Sequence, residues 1–236
     1  MKGKSNPIDG TKMSFLKKID DSSKYGLYVE MCYKAMEYLD EHKGYVVSDN
    51  KTYERNYIIC LSYIMGKNDG KSDAMSGLIV GGDGNKYVFE DCFIQSEKEN
   101  EQIKTTKKEL GLETNYVAPD FVIHKNNRIN DIQGKYQKII VEAKTTLSLK
   151  DDDFYRDFFK LNVYLNRLKF RYGIYLLINT SIDDINCFIK GYIDKCFYIS
   201  EKCKNRMLFL IQEKECDTPS LYQFKIDPIR YLSNNG

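Results

Sequence analysis

The sequence predicts a mixed α/β domain in which one central β-sheet is flanked by helices. Two kinds of pattern indicate this fold class. Residues 138–145 and 174–178 have the apolar, β-branched character of buried strands, and residues 153–170 between them repeat apolar side chains at helical spacing. A strand, a helix and a further strand in this order are typical of a sheet with helices packed on its faces.

Two helices are expected before the sheet. The first covers residues 22–40, with capping side chains at residues 21–23, and the second covers residues 52–65. In each segment the apolar residues recur at the spacing of one helix face. These residues are Tyr28, Cys32, Ala35, Met36 and Leu39 in the first helix, and Tyr57, Ile58, Leu61, Ile64 and Met65 in the second.

Residues 77–95 have the pattern of a β-hairpin. Its strands are predicted at Leu78–Val80 and Tyr87–Ile94. The segment between them is rich in glycine, which tolerates the backbone conformations of tight hairpin turns. Residues 96–111 are highly charged and are expected to form either an exposed helix or a connecting segment.

The core of the fold is expected over about residues 50–180 of a single domain that spans residues 1–236. Within it, Pro119–His124 and Lys138–Thr145 are predicted strands separated by a polar turn. Further short elements are expected around residues 184–192, 205–212 and 220–231. No internal repeat or low-complexity segment divides the chain.

Composition narrows the class of protein but does not identify a partner. Hydrophobic residues make up 42% of the chain and charged residues 30%, which is typical of a soluble globular protein. The formal net charge of +2 is too small to indicate a polyanion partner, and it does not exclude one. The first ten residues lack the apolar segment of a signal peptide, and no apolar run approaches the roughly 18 residues of a membrane span. We therefore expect a cytoplasmic protein.

The cysteines and histidines argue against a zinc, iron–sulfur or histidine-based site. The seven cysteines include no CxxC pair, and the last four are irregularly spaced. An odd number of cysteines without paired spacing indicates free thiols in a reducing compartment. The chain has two histidines, His42 and His124, and we expect His124 to have a structural role.

The residues that indicate chemistry are Asp120, Glu142 and Lys144. Side chains alternate between the two faces of a strand, so Glu142 and Lys144 share one face of their predicted strand. Two positions along a strand are about 6.5–7 Å apart, and both side chains therefore reach the same cleft. If the strand that begins near Asp120 pairs with this one, a second carboxylate joins them.

Two convergent carboxylates and an ammonium suit the hydrolysis of a phosphodiester. Mg²⁺ prefers oxygen ligands and retains several waters. A bound metal ion contacts the phosphate and lowers the pKa of a water molecule. An adjacent lysine orients or deprotonates that water, or stabilises the charge that builds up on phosphorus.

At these positions the sequence resembles the PD-(D/E)XK, restriction-endonuclease-like nucleases. The family pattern is Pro-Asp on one strand, followed on the next by Asp or Glu, any residue, and Lys; this chain has Pro119-Asp120 and Glu142-Ala143-Lys144. The resemblance implies a restriction-endonuclease-like core of a helix, three strands, a helix and a strand. It also implies that Asp120, Glu142 and the main chain of Ala143 bind Mg²⁺, for which Mn²⁺ substitutes, and that Lys144 is catalytic.

Many members of this family add an acidic residue from the helix before the sheet. Glu54 is the candidate here, because it lies three and four residues before Tyr57 and Ile58, on the inward side of its helix. A carboxylate that only interacts with the helix dipole explains Glu54 equally well. Glu90 and Asp91, on the predicted hairpin, are rival candidates.

Other charged residues have more than one interpretation. Lys160 and Tyr164 follow the motif where some relatives have Gln-x-x-x-Tyr, but a solvated position for Lys160 is the favoured interpretation. The remaining basic residues are interpreted as solvated surface rather than as contacts to a DNA backbone. They are Lys104, Lys107, Lys108, Arg167, Lys169 and Arg171.

The resemblance favours a divalent-metal-dependent DNA endonuclease, either a type II restriction enzyme or a related phage-defence nuclease. It implies DNA as the partner and a homodimer or other homo-oligomer, because one site cuts one strand. The alternative is a catalytically inactive nucleic-acid-binding module of the same fold, although such modules usually lose one of the three motif residues. A mixed α/β protein unrelated to nucleases is a third hypothesis, and it predicts no Mg²⁺ site at Asp120 and Glu142.

Overall fold

A computed structural model gives the architecture of most of the chain. The ranges that it describes are 14–41, 47–48, 51–52, 54–68, 78–81, 96–115, 117–125, 137–145, 149–214 and 217–225. The predicted hairpin strand Tyr87–Ile94 lies outside these ranges, as do Glu90 and Asp91.

The described residues form one seven-stranded mixed sheet and one small two-stranded ribbon. The sheet order is β1-β9-β8-β7-β6-β5-β4, and β2 pairs with β3 in the ribbon. The strands are β1 Leu16–Ile19, β2 Val47–Ser48, β3 Lys51–Thr52, β4 Leu78–Gly81, β5 Phe121–Lys125, β6 Gln137–Lys144, β7 Tyr172–Ile178, β8 Met207–Gln212 and β9 Ser220–Phe224.

The centre of the sheet is parallel and its edges are antiparallel. Strands β6, β7 and β8 run parallel, whereas β4 and β5 on one side and β9 and β1 on the other are antiparallel to their neighbours. Strand β7 is buried almost throughout, which is usual for a parallel strand covered on both faces. Its continuous apolar sequence is the reason why it could be predicted as a buried strand.

Helices cover both faces of this sheet. They are α1 Leu27–Glu41, α2 Glu54–Asn68, α3 Glu97–Glu109, α4 Asp151–Val163, α5 Ile182–Asp194 and the short α6 Cys203–Arg206. One buried cluster joins α1 and α2 to one face of the sheet, and a second joins α4 and α5 to the other. The predicted α/β class, with a central mixed sheet flanked by helices, is confirmed.

The structure refines several predicted boundaries. The helix predicted over residues 22–40 begins as a 3₁₀ turn at Ser22–Tyr25 and restarts as α1 after Gly26, whose φ of 88° is unfavourable for other residues. The charged segment at residues 96–111 contains a regular helix, α3, capped by the side chain of Ser96. None of the described helices is long and apolar enough to cross a membrane.

Helix α4 changes its winding before it ends. The residues Tyr164–Leu168 continue it as a π-helical turn, and the chain leaves the helix at Lys169, which has a left-handed φ of 57°. A π turn rotates the side chains that follow it relative to a regular α-helix, and such turns are frequent at functional sites. The helix predicted over residues 153–170 is thus one continuous element that carries Tyr164 at this change of winding.

Candidate active site

The two strands that carry the predicted motif are neighbours in the sheet. Phe121 of β5 is opposite Val141 of β6, which brings Asp120, just before β5, next to Glu142. The Asp120 carboxylate also accepts a hydrogen bond from the backbone N–H of Ala143, at 2.9 Å from N to Oδ2. Asp120 is therefore held over the strand that bears Glu142 and Lys144.

The alternation of side chains along β6 follows the predicted pattern. Ile139, Val141 and Ala143 belong to the apolar cluster that α1 and α2 cover. Ile140 belongs to the opposite cluster, beneath α4. Glu142 has the same parity as Ile140 and pairs with Lys160 of α4. The face of β6 towards α1 and α2 is thus apolar, whereas the face towards α4 combines Ile140 with charged side chains.

Glu54 joins the site from the start of α2. Its carboxylate oxygens lie 3.3 Å and 3.4 Å from Nζ of Lys144. Glu54 is the first residue of α2, and this position allows its side chain to reach past the helix to the end of β6. Of the two interpretations of Glu54, the structure favours participation in the site.

Helix α4 contributes an acid and a base that join the motif residues. Nζ of Lys160 lies 2.8 Å from Oε2 of Glu142 and 2.6 Å from Oδ1 of Asp157. The second oxygen of Asp157 lies 3.0 Å from Nζ of Lys144. Asp157 therefore links the two ammonium groups, and each ammonium in turn contacts a further carboxylate.

The favoured interpretation of Lys160 as a solvated residue is wrong. Its side chain is 16% exposed, because this face of α4 packs against β6, where Glu142 offers a charged acceptor. Asp157 was not among the residues predicted from the sequence. It is only 5% exposed and contacts both lysines of the site. A signal was available, since Asp157 interrupts the apolar positions Phe154 and Phe158 and lies three residues before Lys160.

Glu142 is the most unusual group in the site. The residue is fully buried, and its Oε1 has no hydrogen-bond partner. Burial raises the pKa of Glu142 well above its usual value; Lys160 opposes this shift, and the nearby carboxylates of Asp157 and Asp120 add to it. A buried carboxylate oxygen without a partner is costly, and in native proteins it calls for a functional or structural explanation.

The surroundings of the two lysines favour the charged form of each side chain, in contrast to those of Glu142. Burial alone lowers the pKa of Lys144, but the carboxylates of Asp157 and Glu54 outweigh it and raise that pKa above its usual range. Burial likewise lowers the pKa of Lys160, and the carboxylates of Glu142 and Asp157 reverse this effect. Both side chains are therefore ammonium ions at neutral pH.

Two tyrosine hydroxyls lie close to the carboxylates. Burial raises the pKa of Tyr164, and the neighbouring Glu142 carboxylate raises it further. Burial also raises the pKa of Tyr175, with an added contribution from Asp157. Both hydroxyls therefore stay protonated and present polar groups to the acidic side of the site.

The formal charges of the site do not cancel. Among the residues that the structure describes, four carboxylates face two ammonium ions, which leaves a formal charge of −2 in a largely buried region. The carboxylates belong to Glu54, Asp120, Glu142 and Asp157, and the ammonium ions to Lys144 and Lys160. One divalent cation would cancel this formal charge.

The donor atoms fit a hard cation that needs few protein ligands. In the described parts of the chain, no group of three or more His, Cys, Asp or Glu side chains has the arrangement of a metal site. Lys144 lies between the carboxylates of Glu54 and Asp157, and Lys160 contacts those of Glu142 and Asp157. Mg²⁺ is commonly held by one or two carboxylates and completes its coordination with water and substrate oxygens. Asp120 and the free oxygen of Glu142 meet that requirement.

Most of the other basic candidates lie on the surface. Lys104, Lys108, Lys169 and Arg171 are exposed, in agreement with their interpretation as solvated residues. Arg167 is an exception, because it is 7% exposed and donates a hydrogen bond to Asn100 of α3 at 3.0 Å. Arg167 lies within the π turn that follows α4, and its side chain points towards α3.

His124 and the cysteines contribute no metal site among the described residues. His124 is buried at 7% exposure, in agreement with a structural role. Cys187, Cys196 and Cys203 are free thiols, with the first two exposed and the third buried. Cys216, the fourth member of this series, lies outside the described residues.

Comparisons with other proteins assign this site to no group. No family model matches the chain, and no curated protein or solved structure matches it significantly. The chemistry of the site therefore follows from the charges and contacts of its own residues, and these define a buried, acidic, lysine-containing centre at the end of the β6 strand.

Proposed function

We propose that the chain is a divalent-metal-dependent DNA endonuclease with a restriction-endonuclease-like core. The active site consists of Asp120, Glu142 and Lys144, assisted by Glu54. Mg²⁺ is the proposed cofactor, and Mn²⁺ substitutes for it. The observation that carries the proposal is the buried, unpartnered Oε1 of Glu142 beside Asp120, in a site with a formal charge of −2.

The order of elements supports the proposed core. Helix α2 is followed by β4, then by the intervening helix α3, and then by β5, β6, α4 and β7; β4, β5 and β6 are antiparallel neighbours, and β7 is parallel to β6. With α3 set aside as an insertion, this order resembles the helix, three strands, helix and strand that the family resemblance implies. The motif residues lie at the end of β6 and at the start of β5, the two central strands of that series.

Each side chain has a definite task in phosphodiester hydrolysis. Asp120 and Glu142 would hold the cation through carboxylate oxygens, and the backbone carbonyl of Ala143, whose N–H donates to Asp120, would be a third ligand. A cation bound there would supply the Lewis acid that polarises the phosphate and activates a water molecule. The Lys144 ammonium, held between Glu54 and Asp157, stabilises the negative charge that develops on the phosphate oxygens.

The substrate, the assembly and the compartment belong to the same proposal. DNA is the proposed substrate, and a role as a type II restriction enzyme or a phage-defence nuclease fits a compact nuclease core. Cleavage of both strands by one site per chain favours a homodimer or other homo-oligomer. The described cysteines are free thiols, which supports a reducing, cytoplasmic environment.

Incubation with supercoiled plasmid tests the function. We expect the full-length protein to cut plasmid in the presence of Mg²⁺ or Mn²⁺ and to stop when EDTA is added, because the carboxylates alone cannot activate water. Agarose electrophoresis distinguishes the modes of cleavage: discrete fragments indicate sequence recognition, and a smear indicates a non-specific nuclease. The Asp120→Asn variant is expected to cut at least about 10²-fold more slowly.

A matched control uses an acid outside the site. Glu30 pairs with Lys34 on the outer side of α1, so Glu30→Gln is expected to retain full activity. Absence of cleavage on duplex DNA, single-stranded DNA and RNA, together with retained DNA binding, would favour the alternative of an inactive binding module. Cleavage that resists EDTA would contradict the role of the metal.

A further inference from the structure

We propose that Lys160 substitutes for a second divalent cation, so that the centre at Asp120 and Glu142 holds one metal ion per chain. This inference rests on the function proposed above and specifies how many cations that function uses. Metal-dependent phosphodiester hydrolysis is carried out with one cation or with a pair of cations roughly 3.5–4 Å apart. The contacts of Lys160 distinguish between these two designs.

The oxygens that a second cation needs already contact an ammonium ion. Nζ of Lys160 lies 2.8 Å from Oε2 of Glu142 and 2.6 Å from Oδ1 of Asp157, both distances of charge-assisted hydrogen bonds. The remaining oxygen of Asp157 lies 3.0 Å from Nζ of Lys144. Oε1 of Glu142 is therefore the oxygen of these two carboxylates that is left for a metal ion.

The formal charge of the site also indicates a single cation. In the described part of the chain, the four carboxylates and two ammonium ions of the site carry a formal charge of −2, which one divalent cation would cancel. A second divalent cation would leave a formal charge of +2 in a region that is largely shielded from solvent. Uncompensated buried charge of either sign is strongly unfavourable, so the electrostatics select a single cation.

Lys160 cannot easily leave this position. Its side chain is 16% exposed, and it pairs with Asp157 one helical turn earlier on α4. Moving the ammonium outward would leave both Glu142 and Asp157 without their partner, at 1% and 6% side-chain exposure. Lys160 is thus a fixed positive charge on α4, and Glu142 and Asp157 need no second cation from solution beside it.

Counting bound Mn²⁺ tests the proposal. Titration calorimetry on the full chain gives the stoichiometry, and electron paramagnetic resonance detects the coupling between two Mn²⁺ ions at close range. We expect one Mn²⁺ per chain for the wild type and two coupled ions for Lys160→Met, which removes the charge at similar length. The double variant Lys160→Met/Asp157→Asn restores the formal charge of −2 and is expected to return to one ion.

Each outcome decides between the two designs. Two Mn²⁺ ions in the wild type would overturn the inference, and so would a folded Lys160→Met variant that binds one ion with unchanged affinity. If Lys160→Met does not fold, the wild type and the charge-restoring double variant still provide the count. If the wild type binds two Mn²⁺ ions and cleaves plasmid in a metal-dependent way, the proposed nuclease function stays intact and only this inference fails. If the wild type binds no Mn²⁺, the metal centre itself is refuted.

Discussion

Replacement of Lys144 by alanine is expected to lower the metal-dependent cleavage rate by about 10²–10³-fold, the usual effect of removing one group that stabilises charge in a transition state. Nζ of Lys144 lies 3.3 Å from a carboxylate oxygen of Glu54 and 3.0 Å from one of Asp157. Neither of these two carboxylates is a metal ligand in our proposal. Mn²⁺ affinity is therefore expected to be retained or increased. Single-turnover cleavage assays and calorimetry measure the two quantities separately.

The matched control is Lys34→Ala, which removes an exposed ammonium that pairs with Glu30 on α1. This variant is expected to cut at the wild-type rate, because an exposed ion pair contributes little to stability and Lys34 is remote from the motif. Cleavage by Lys144→Ala at the wild-type rate would remove Lys144 from the mechanism. Loss of metal binding together with activity would indicate that Lys144 acts mainly by organising the carboxylates.

The Glu142→Gln variant is expected to abolish cleavage and, in EDTA, to increase the free energy of unfolding by about 0.5–2 kcal/mol, the usual range for a single stabilising mutation. The reason is that Glu142 is a fully buried carboxylate in a site with excess negative charge. A neutral amide of the same shape removes that cost, and Lys160 keeps its contact with Asp157. Urea unfolding followed by circular dichroism measures the change.

The dependence on pH has a definite sign. Because the folded state raises the pKa of Glu142 above its unfolded value, this group lowers stability as the pH increases through the raised pKa. The gain from Glu142→Gln is therefore expected to be larger at pH 8 than at pH 5. The control Glu30→Gln, at an exposed ion pair, is expected to change stability by less than about 0.5 kcal/mol. A less stable Glu142→Gln protein at pH 8 would contradict the proposed charge imbalance.

The sequence was most informative where a single periodicity governs a segment. The alternation along β6 separated Glu142 and Lys144 from Val141 and Ala143, and the structure has the same two faces. The apolar run of β7 likewise predicted a strand buried on both sides. In such segments the same residues determine both the local geometry and the packing, so local patterns suffice.

The contribution of α4 to the site could not be predicted in the same way. Asp157 and Lys160 are polar residues on an amphipathic helix, and polar residues on such a helix usually lie in solvent. Their burial depends on the charged face of β6, with which they pair only after the sheet and helix have packed. A long-range partner of this kind leaves no periodic signal in the sequence near α4. The only local indication of this burial was that Asp157 interrupts the apolar face of the helix.

Mapping the bound cation tests the central claim most directly. Fe²⁺ bound in place of Mg²⁺, with ascorbate and peroxide, generates radicals that cut the polypeptide chain beside the metal. We predict cuts next to Asp120 and next to Glu142, identified by mass spectrometry, that excess Mg²⁺ suppresses and that the Asp120→Asn variant lacks. Mg²⁺-sensitive cuts elsewhere in the chain, or the same cuts in Asp120→Asn, would contradict a metal centre formed by these two carboxylates.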